Sequence, residues 1–397
     1  MRISTVTMFE SSLSSMNRQQ SAFLDVGQQL ATGRRVVNPS DDPQAASRAV
    51  SVSQSMAVSQ QYADARVTAR NALSQEESVL NSVSDAISSA KTLIVQAGNG
   101  TLSDADRSAI GSELRGIYES LLGQANTTNG NGDYLFGGVK DNASPFVKQG
   151  GRIVYQGADS VRAQQVDSSR QMPVGDSGLD VFSGVHAGSD YVAEATTAAD
   201  STLTFTGPSV RDAAADGFGA SYTLTFTDAT TFSITDGLGT ALLTDTYTAG
   251  EPIEFNGMSI TLEGEPKQDD AIEMTKGQDQ SVFATLESAL AALESPADTS
   301  AKQADLSNTL SSVSRQLDNS LDNVLTVRAS VGARLNELDV LDTVGGNRSL
   351  NYESTLSELV DLDYASAISD YTLRQVGLQA SQKTFVDMRG MSLFEML

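Results

Sequence analysis

The chain contains no cysteine, no tryptophan and a single histidine. Without cysteine there is no disulfide, no thiolate metal site and no cysteine nucleophile. One histidine, His186, cannot supply the two-histidine helix of a zinc protease. It leaves a single imidazole base, and no serine sits in a Gly-x-Ser-x-Gly turn. His186 lies in the loop-rich stretch 182–188 and reads as an ordinary surface residue. Aromatic residues make up only 6% of the chain. Large core-fillers are therefore few, which favours thin, elongated domains over one deep globule. No run reaches the roughly 18 apolar residues of a membrane span. The first residues, Met1 to Met16, have no continuous apolar stretch and no small-residue cleavage site, so a cleaved signal peptide is not expected.

Phosphate-binding motifs are also missing. Gly98-Asn99-Gly100 is followed by Thr-Leu-Ser and lacks the third glycine of a dinucleotide loop. Asp41-Asp42 and Asp269-Asp270 are carboxylate pairs, but neither has the spacing of a calcium loop. The first reads as a helix cap and the second as a solvated turn. No catalytic residue, cofactor or metal ligand is expected. Positive charge is scarce in the middle of the chain. Residues 174–275 hold 17 acidic residues against two basic ones, Arg211 and Lys267. Such a surface disfavours nucleic acid as a partner and suits a solvent-facing module.

Glycine and proline, where they are absent, mark what is present. No glycine occurs between Gly33 and Gly98, and no proline between Pro43 and Pro145. Residues 44–97 can thus form one helix, about 80 Å long if unbroken. Asn38-Pro39-Ser40-Asp41-Asp42-Pro43 supplies its cap and first-turn proline. Val50, Ala57, Ala65, Ala69, Leu73, Leu80, Val83, Ile87 and Ile94 give it a mostly small apolar face. Ser103-Asp104-Ala105-Asp106 opens a second helix that runs to about Asn126. Short strands follow near 152–155 and 161–166.

From Gly175 the texture changes to Thr, Ser, Asp and Gly. Apolar residues alternate in pairs and triplets, such as Tyr222, Leu224 and Phe226, or Ile260 and Leu262. Period two between turn residues predicts an antiparallel β domain over 174–275. Helical pattern returns from Gln278, with Phe283, Leu286, Leu290 and Leu293 on one stripe. Leu306, Leu310, Val313, Leu317, Leu321, Val324 and Val331 lie on another. Gly345-Gly346 predicts a break, with a terminal helix from about Leu350.

The two ends resemble each other. Val6, Phe9, Leu13, Met16, Phe23 and Leu30 recur at three- and four-residue steps, with Gln20 and Gly27 as weak points. Ile368, Tyr371, Leu378 and Phe385 do the same near the other end, with Gln375 and Gln382 in register. A narrow stripe with period near 3.5 is a partner-seeking seam, and a short helix carrying one is marginal alone. The expected assembly interface is Phe9, Leu13, Met16, Phe23, Leu30, Ile368, Tyr371, Leu378 and Phe385.

The expected fold class is α+β. An elongated helical hairpin or coiled-coil bundle is built from the N- and C-terminal segments, with a small β-hairpin element and an inserted antiparallel β domain. The boundaries expected are 1–40 and 350–397 for the coiled-coil ends, 41–173 and 276–349 for the helical body, and 174–275 for the β insertion. That topology suits an assembly subunit.

At the same residues the chain resembles the flagellin superfamily. Leu30-Ala31-Thr32-Gly33-Arg34-Arg35 through Asn38-Pro39-Ser40-Asp41-Asp42-Pro43 is similar to a segment shared across it. The run Ala125 to Gly138 and the segments Asp361 to Ala365 and Leu378 to Phe394 resemble its branch that joins hook to filament. The resemblance covers about 1–140 and 280–397. It implies a structural subunit that self-assembles into a ring, with the hook-associated protein FlgK below and the flagellin filament above. It also implies export without a cleaved signal, an extracellular place in the flagellum, and an export chaperone, FlgN, for the C-terminal helix. Two alternatives remain open at this point: a filament flagellin, and a secreted surface protein whose acidic β domain binds a ligand.

Overall fold

The computed structural model describes residues 5–184, 190–277 and 281–394. His186 and the side chain of Val6 lie outside the described residues. Three helices come first: α1 (Thr5–Thr32), α2 (Pro43–Ala97) and α3 (Asp104–Ala125). Two hairpins follow, β1 (Phe146–Gln149) with β2 (Arg152–Tyr155) and β3 (Ala163–Asp167) with β4 (Arg170–Pro173). A short helix, α4 (Gly178–Phe182), leads to eight strands. These are β5 (Tyr191–Thr196), β6 (Thr204–Val210), β7 (Tyr222–Asp228), β8 (Thr231–Asp236), β9 (Ala241–Thr246), β10 (Pro252–Phe255), β11 (Met258–Glu263) and β12 (Ala271–Lys276). Three helices end the chain: α5 (Val282–Glu294), α6 (Ser300–Val360) and α7 (Tyr364–Phe394). This is the α+β class expected, with long terminal helices and an inserted antiparallel β domain. The chain falls into two compact units, residues 1–64 with 340–397, and Ala65–Asp339.

In the larger unit, the heptad pattern of the sequence becomes the core. Ala69, Leu73, Leu80, Val83, Ile87, Ala90 and Ile94 of α2 are buried, at alternating three- and four-residue steps once Glu76 is included. Leu310, Val313, Leu317, Val324, Val331 and Leu338 of α6 are buried at three-, four- and seven-residue steps. Lys91 pairs with Asp318, and Arg70 with Asp339 at 2.6 Å, so ion pairs tie the two helices. The start of α3 is fixed by a reciprocal cap between Ser103 and Asp106, as its sequence predicts. A cluster of aromatic rings, Phe136, Phe146, Phe182 and Phe283, joins α4 and α5 to the first hairpin, with centroids 5.2–5.8 Å apart. Residues 176–182 therefore pack with the helical body, although the sequence placed the start of the β domain at 174.

Glu76 occupies a seam position and is buried. Its Oε1 accepts the Asp176 N–H at 2.9 Å, and its Oε2 has no hydrogen-bond partner among the described residues. Arg334 pairs with Asp176 and donates to the Pro173 carbonyl at 3.3 Å. Burial, with the Asp176 charge adding to it, pushes the Glu76 carboxyl from its ordinary 4.5 up to about 8. The folded state thus holds this proton more tightly than the unfolded chain. Stability from this group is complete below about pH 4.5 and is lost as pH rises through about 8. Glu76→Gln keeps the acceptor and removes the titration. Urea melts should show the variant more stable than wild type at pH 8 by on the order of 4 kcal/mol, with the gap closing at pH 4.5. Equal pH slopes for the two proteins would refute this.

The β domain is two antiparallel sheets, ordered β5-β12-β7-β8-β9 and β10-β11-β6. Leu203, Phe205, Tyr222, Leu224, Phe226, Phe232, Ile234, Phe255, Ile260, Leu262, Ile272 and Met274 form its buried core. Every alternating pattern named from the sequence lies in or next to a strand. Two strands had no such signal. β5 is buried at three successive residues, and β9 is an edge strand exposed at five of six positions. Asp270, expected in a solvated turn, is instead fully buried. Its carboxylate accepts the N–H groups of Ala198 and Lys267, both at 2.7 Å, and the Ser201 hydroxyl. Three donors satisfy this buried carboxylate, and they come from residues that hydropathy alone does not bring together.

A polar stripe on α6 holds the β domain. Asn308 donates to the Leu203 carbonyl at 2.9 Å and accepts the Phe205 N–H at 3.1 Å. Ser312 donates to the Ala193 carbonyl. Asn319 donates to the Asp190 carbonyl at 3.0 Å and accepts its N–H at 2.9 Å. One turn on, Asn323 donates to the carbonyls of Asp180 and Val181. Asparagine is a poor helix former, and its repetition on one face was the signal available in the sequence.

Three expectations about helices fail. Val50 is 68% exposed and Ala57 is exposed, so neither joins the apolar face of α2. Gly345-Gly346 does not break α6. Two interior glycines cost about 2 kcal/mol together, less than a 61-residue helix gains from its other turns. The terminal helix starts at Tyr364 and not near Leu350.

Candidate assembly interface

The terminal helices belong to the smaller unit. α1 runs 28 residues without proline and ends at Gly33, whose φ of +68° is a left-handed stop. The Gly33 N–H returns to the Gln29 carbonyl at 2.8 Å. A Cβ there would lie 2.7 Å from the Tyr364 hydroxyl, so a side chain would have to displace that ring as well as adopt the left-handed backbone. The chain then pairs briefly with the segment before α7. Arg34 bridges Asp361 in antiparallel fashion. The Arg35 N–H donates to the Val360 carbonyl at 2.7 Å, and the Leu362 N–H to the Gly33 carbonyl at 3.0 Å. The Arg35 guanidinium reaches the Leu359 carbonyl at 2.8 Å and Asp42 at 3.3 Å. Asp42 caps α2 by accepting the Ala45 N–H at 3.0 Å, as the sequence predicts. That bond, with Arg35 beside it, holds the Asp42 carboxyl below its usual range. Asp363 caps α7 through the Ala365 N–H at 3.0 Å.

From this fork the two helices lie side by side and antiparallel. The Phe9 and Phe385 rings are 5.1 Å apart, and those of Phe23 and Tyr371 are 4.6 Å apart. Fourteen residues, two heptads, separate the rings on each helix. The pairing is therefore a coiled coil in one register over at least that length. Met16, Phe23, Leu30, Tyr371, Leu378 and Phe385 are half-buried along it. Phe9 touches its partner ring but stays 41% exposed.

Leu13 and Ile368 do not join the seam. They are 39% and 56% exposed. The helices meet on the other flank of the shared heptad positions, through Ser12, Gln19 and Val26 on α1 and Ala367, Arg374 and Ser381 on α7. Val26 and Ala367 are the buried residues here, and the stripe read from the sequence omitted both. The physical reason is simple. After each shared position, a step of three or of four continues a heptad equally well. Larger apolar side chains at Leu13 and Ile368 favoured one branch, whereas close helix approach favours the small and polar residues of the other. The branch left outside forms exposed apolar stripes, joined by Leu24, Leu373, Val376 and Val386. Apolar residues gathered like this on a helix pair mark an interaction surface. Among the described residues no group of His, Cys, Asp and Glu could hold a metal ion, and no helix is long and apolar enough to cross a membrane.

The chain is similar to flagellar proteins. Residues 3–141 match the bacterial flagellin N-terminal helical region. The chain is 36% identical over 397 residues to flagellar hook-associated protein 3 of Salmonella typhimurium, covering all of this chain and 99% of that one. The crystal structure of Xanthomonas campestris FlgL aligns with a TM-score of 0.69 at 29% identity, covering 77% of this chain and 99% of that one. The flagellar junction protein FlgL of Legionella pneumophila gives 0.68 at 26%, covering 79% and 100%. These relatives are structural proteins of the flagellum and not enzymes. With a full-length match of this depth, a flagellin-type N-terminal region and a FlgL-like fold, the chain belongs to the flagellar hook-associated protein 3 (FlgL) family, the structural subunits of the hook-filament junction.

Proposed function

We propose that this subunit assembles through α1 and α7 into a ring, with FlgK on its hook side and flagellin on its filament side. The observation that carries this is the terminal helix pair with its unburied apolar stripes. Leu13, Leu24, Ile368, Leu373, Val376 and Val386 are each at least 39% exposed in a single copy. Covering them in an assembly removes that area from water and stabilises the array. The site residues Phe9, Met16, Phe23, Leu30, Tyr371, Leu378 and Phe385 hold the pair together, and Leu13 and Ile368 face neighbours. The protein works outside the cell, exported without a cleaved signal, and FlgN guards α7 before assembly.

A strain lacking this gene tests the role. Its cells should carry hooks without filaments, fail to swim, and spill flagellin into the medium. The wild-type gene in trans should restore all three. Normal filaments on the deletion strain would refute the junction role.

A further inference from the structure

Arg374 is out of place in an otherwise ordinary seam. It sits at the α1–α7 contact, and its Nε is buried with no hydrogen-bond partner among the described residues. A guanidinium prefers a bidentate carboxylate, and leaving its donors unmet is costly. Gln19 lies across the seam from it, and Asp370 stands one turn back on its own helix. Gly377 holds a gap open here, since a Cβ would come within 3.3 Å of the Gln19 Oε1. The result is a cleft of about 370 Å³ lined by Leu373, Arg374, Val376 and Ala380. Leu373 and Val376 are 70% and 57% exposed. Asp370 shares the cleft but makes no ion pair with Arg374 among the described residues, so an apolar wall beside this guanidinium fits an amphipathic helix that carries one carboxylate.

The chain supplies such a helix. On α1, the face turned away from α7 presents Leu24, 60% exposed, beside Asp25, also exposed. Both residues point away from the seam by helical spacing, so they cannot reach the cleft of their own copy. Resting on the junction role above, we propose that the cleft at Arg374 receives the Leu24–Asp25 face of α1 from a second copy of this chain. The contact is heterologous: α7 of one copy meets α1 of the next. Contacts of that kind close into rings or run on as helical arrays, as an annular junction requires. The Asp25 carboxylate meets Arg374, and Leu24 covers Leu373 and Val376. A polar pair inside an apolar contact also selects one register among several that hydrophobic stripes would tolerate.

The test uses full-length protein in a strain lacking its own copy. Wild-type complementation comes first. If it restores no filaments, the junction role falls and not the contact alone. With that arm positive, Asp25→Arg and Arg374→Glu should each cut filament-bearing cells about tenfold, and the double reversal should return them to within about twofold of wild type. A double variant no better than the worse single one overturns the proposal. Crosslinking covers the case in which a reversed charge merely misfolds the pair. The chain has no cysteine, so Asp25→Cys with Arg374→Cys introduces the only thiols. Oxidation of isolated flagella should give a ladder of this subunit's multimers. Monomer alone overturns the proposal, as does an equal ladder from Glu10→Cys with Arg374→Cys.

Discussion

Phe385→Asp is expected to leave cells with hooks and no filaments. The Phe385 ring stacks 5.1 Å from Phe9, in the last described aromatic layer before the end of α7. The substitution removes a large apolar contact and sets a carboxylate in its place. Loss of the ring costs about 3 kcal/mol in a packed site, and a poorly solvated charge adds to that. The helix pair has little to spare. Its seam already contains Ser12, Gln19, Arg374 and Ser381, and its outer apolar stripes are uncovered until neighbours arrive. Flagellin should accumulate in the medium while the variant subunit is made at wild-type level. Phe385→Leu keeps an apolar side chain and should retain most filaments. Normal filaments with the aspartate variant, at matched subunit level, would refute the role assigned to this layer.

The second large effect is a contrast between two excisions. Joining 190 to 277 through a short Gly-Ser linker removes the β sheets alone. The ends to be joined are already neighbours, because Tyr191 pairs with Lys276 and the Gly277 N–H donates to the Asp190 carbonyl at 3.2 Å. Excision would uncover Asn308 and Ser312 on α6, which water can solvate without penalty. This truncated protein should fold, reach the flagellum and support filaments, with some loss of swimming in viscous medium. Excision of 176–273 should instead abolish assembly. It takes away Asp176, the partner of Arg334, and Phe182, whose ring touches Phe136, Phe146 and Phe283. Phe182 is 2% exposed, and its loss alone opens a cavity worth about 3–5 kcal/mol. Thermal melts and filament counts on both proteins decide the matter. Two equally stable truncations would show that α4 contributes nothing to the helical body.

Much of this architecture is legible in the sequence, and the reasons differ by element. Helices α2 and α3 carried both a periodic face and end signals, so Gly98 and Ser103 bounded them well. The β domain was legible through alternation, since Tyr222, Leu224 and Phe226 admit no other period. β9 was not, because an edge strand exposed on both faces has no apolar alternation to read. The start of α7 was missed for want of a breaker. Asp361-Leu362-Asp363 contains neither glycine nor proline, and the chain leaves the helix there to pair with residues 33–35, a contact more than 300 residues distant in sequence. At the terminal pair, the heptad positions Met16, Phe23, Tyr371, Leu378 and Phe385 were legible. Which flank closes was not, because that choice is made by the surface of the opposite helix. Glu76 and Asp270 escaped for a related reason: a buried carboxylate is recognised by its donors, and those come from elsewhere in the chain.

The attachment of the β domain to α6 has a consequence for variation. Asn308, Ser312 and Asn319 bond only to main-chain atoms of the domain they hold. Main-chain groups are the same in every sequence. The helix therefore grips mainly the geometry of β5 and β6, and among their side chains Gln316 reaches Glu194 of β5 at 3.2 Å. Residues 191–276 can exchange nearly all their exposed chemistry without loosening the dock. A surface that antibodies, phages or host tissue would meet can change rapidly on a mount that stays the same.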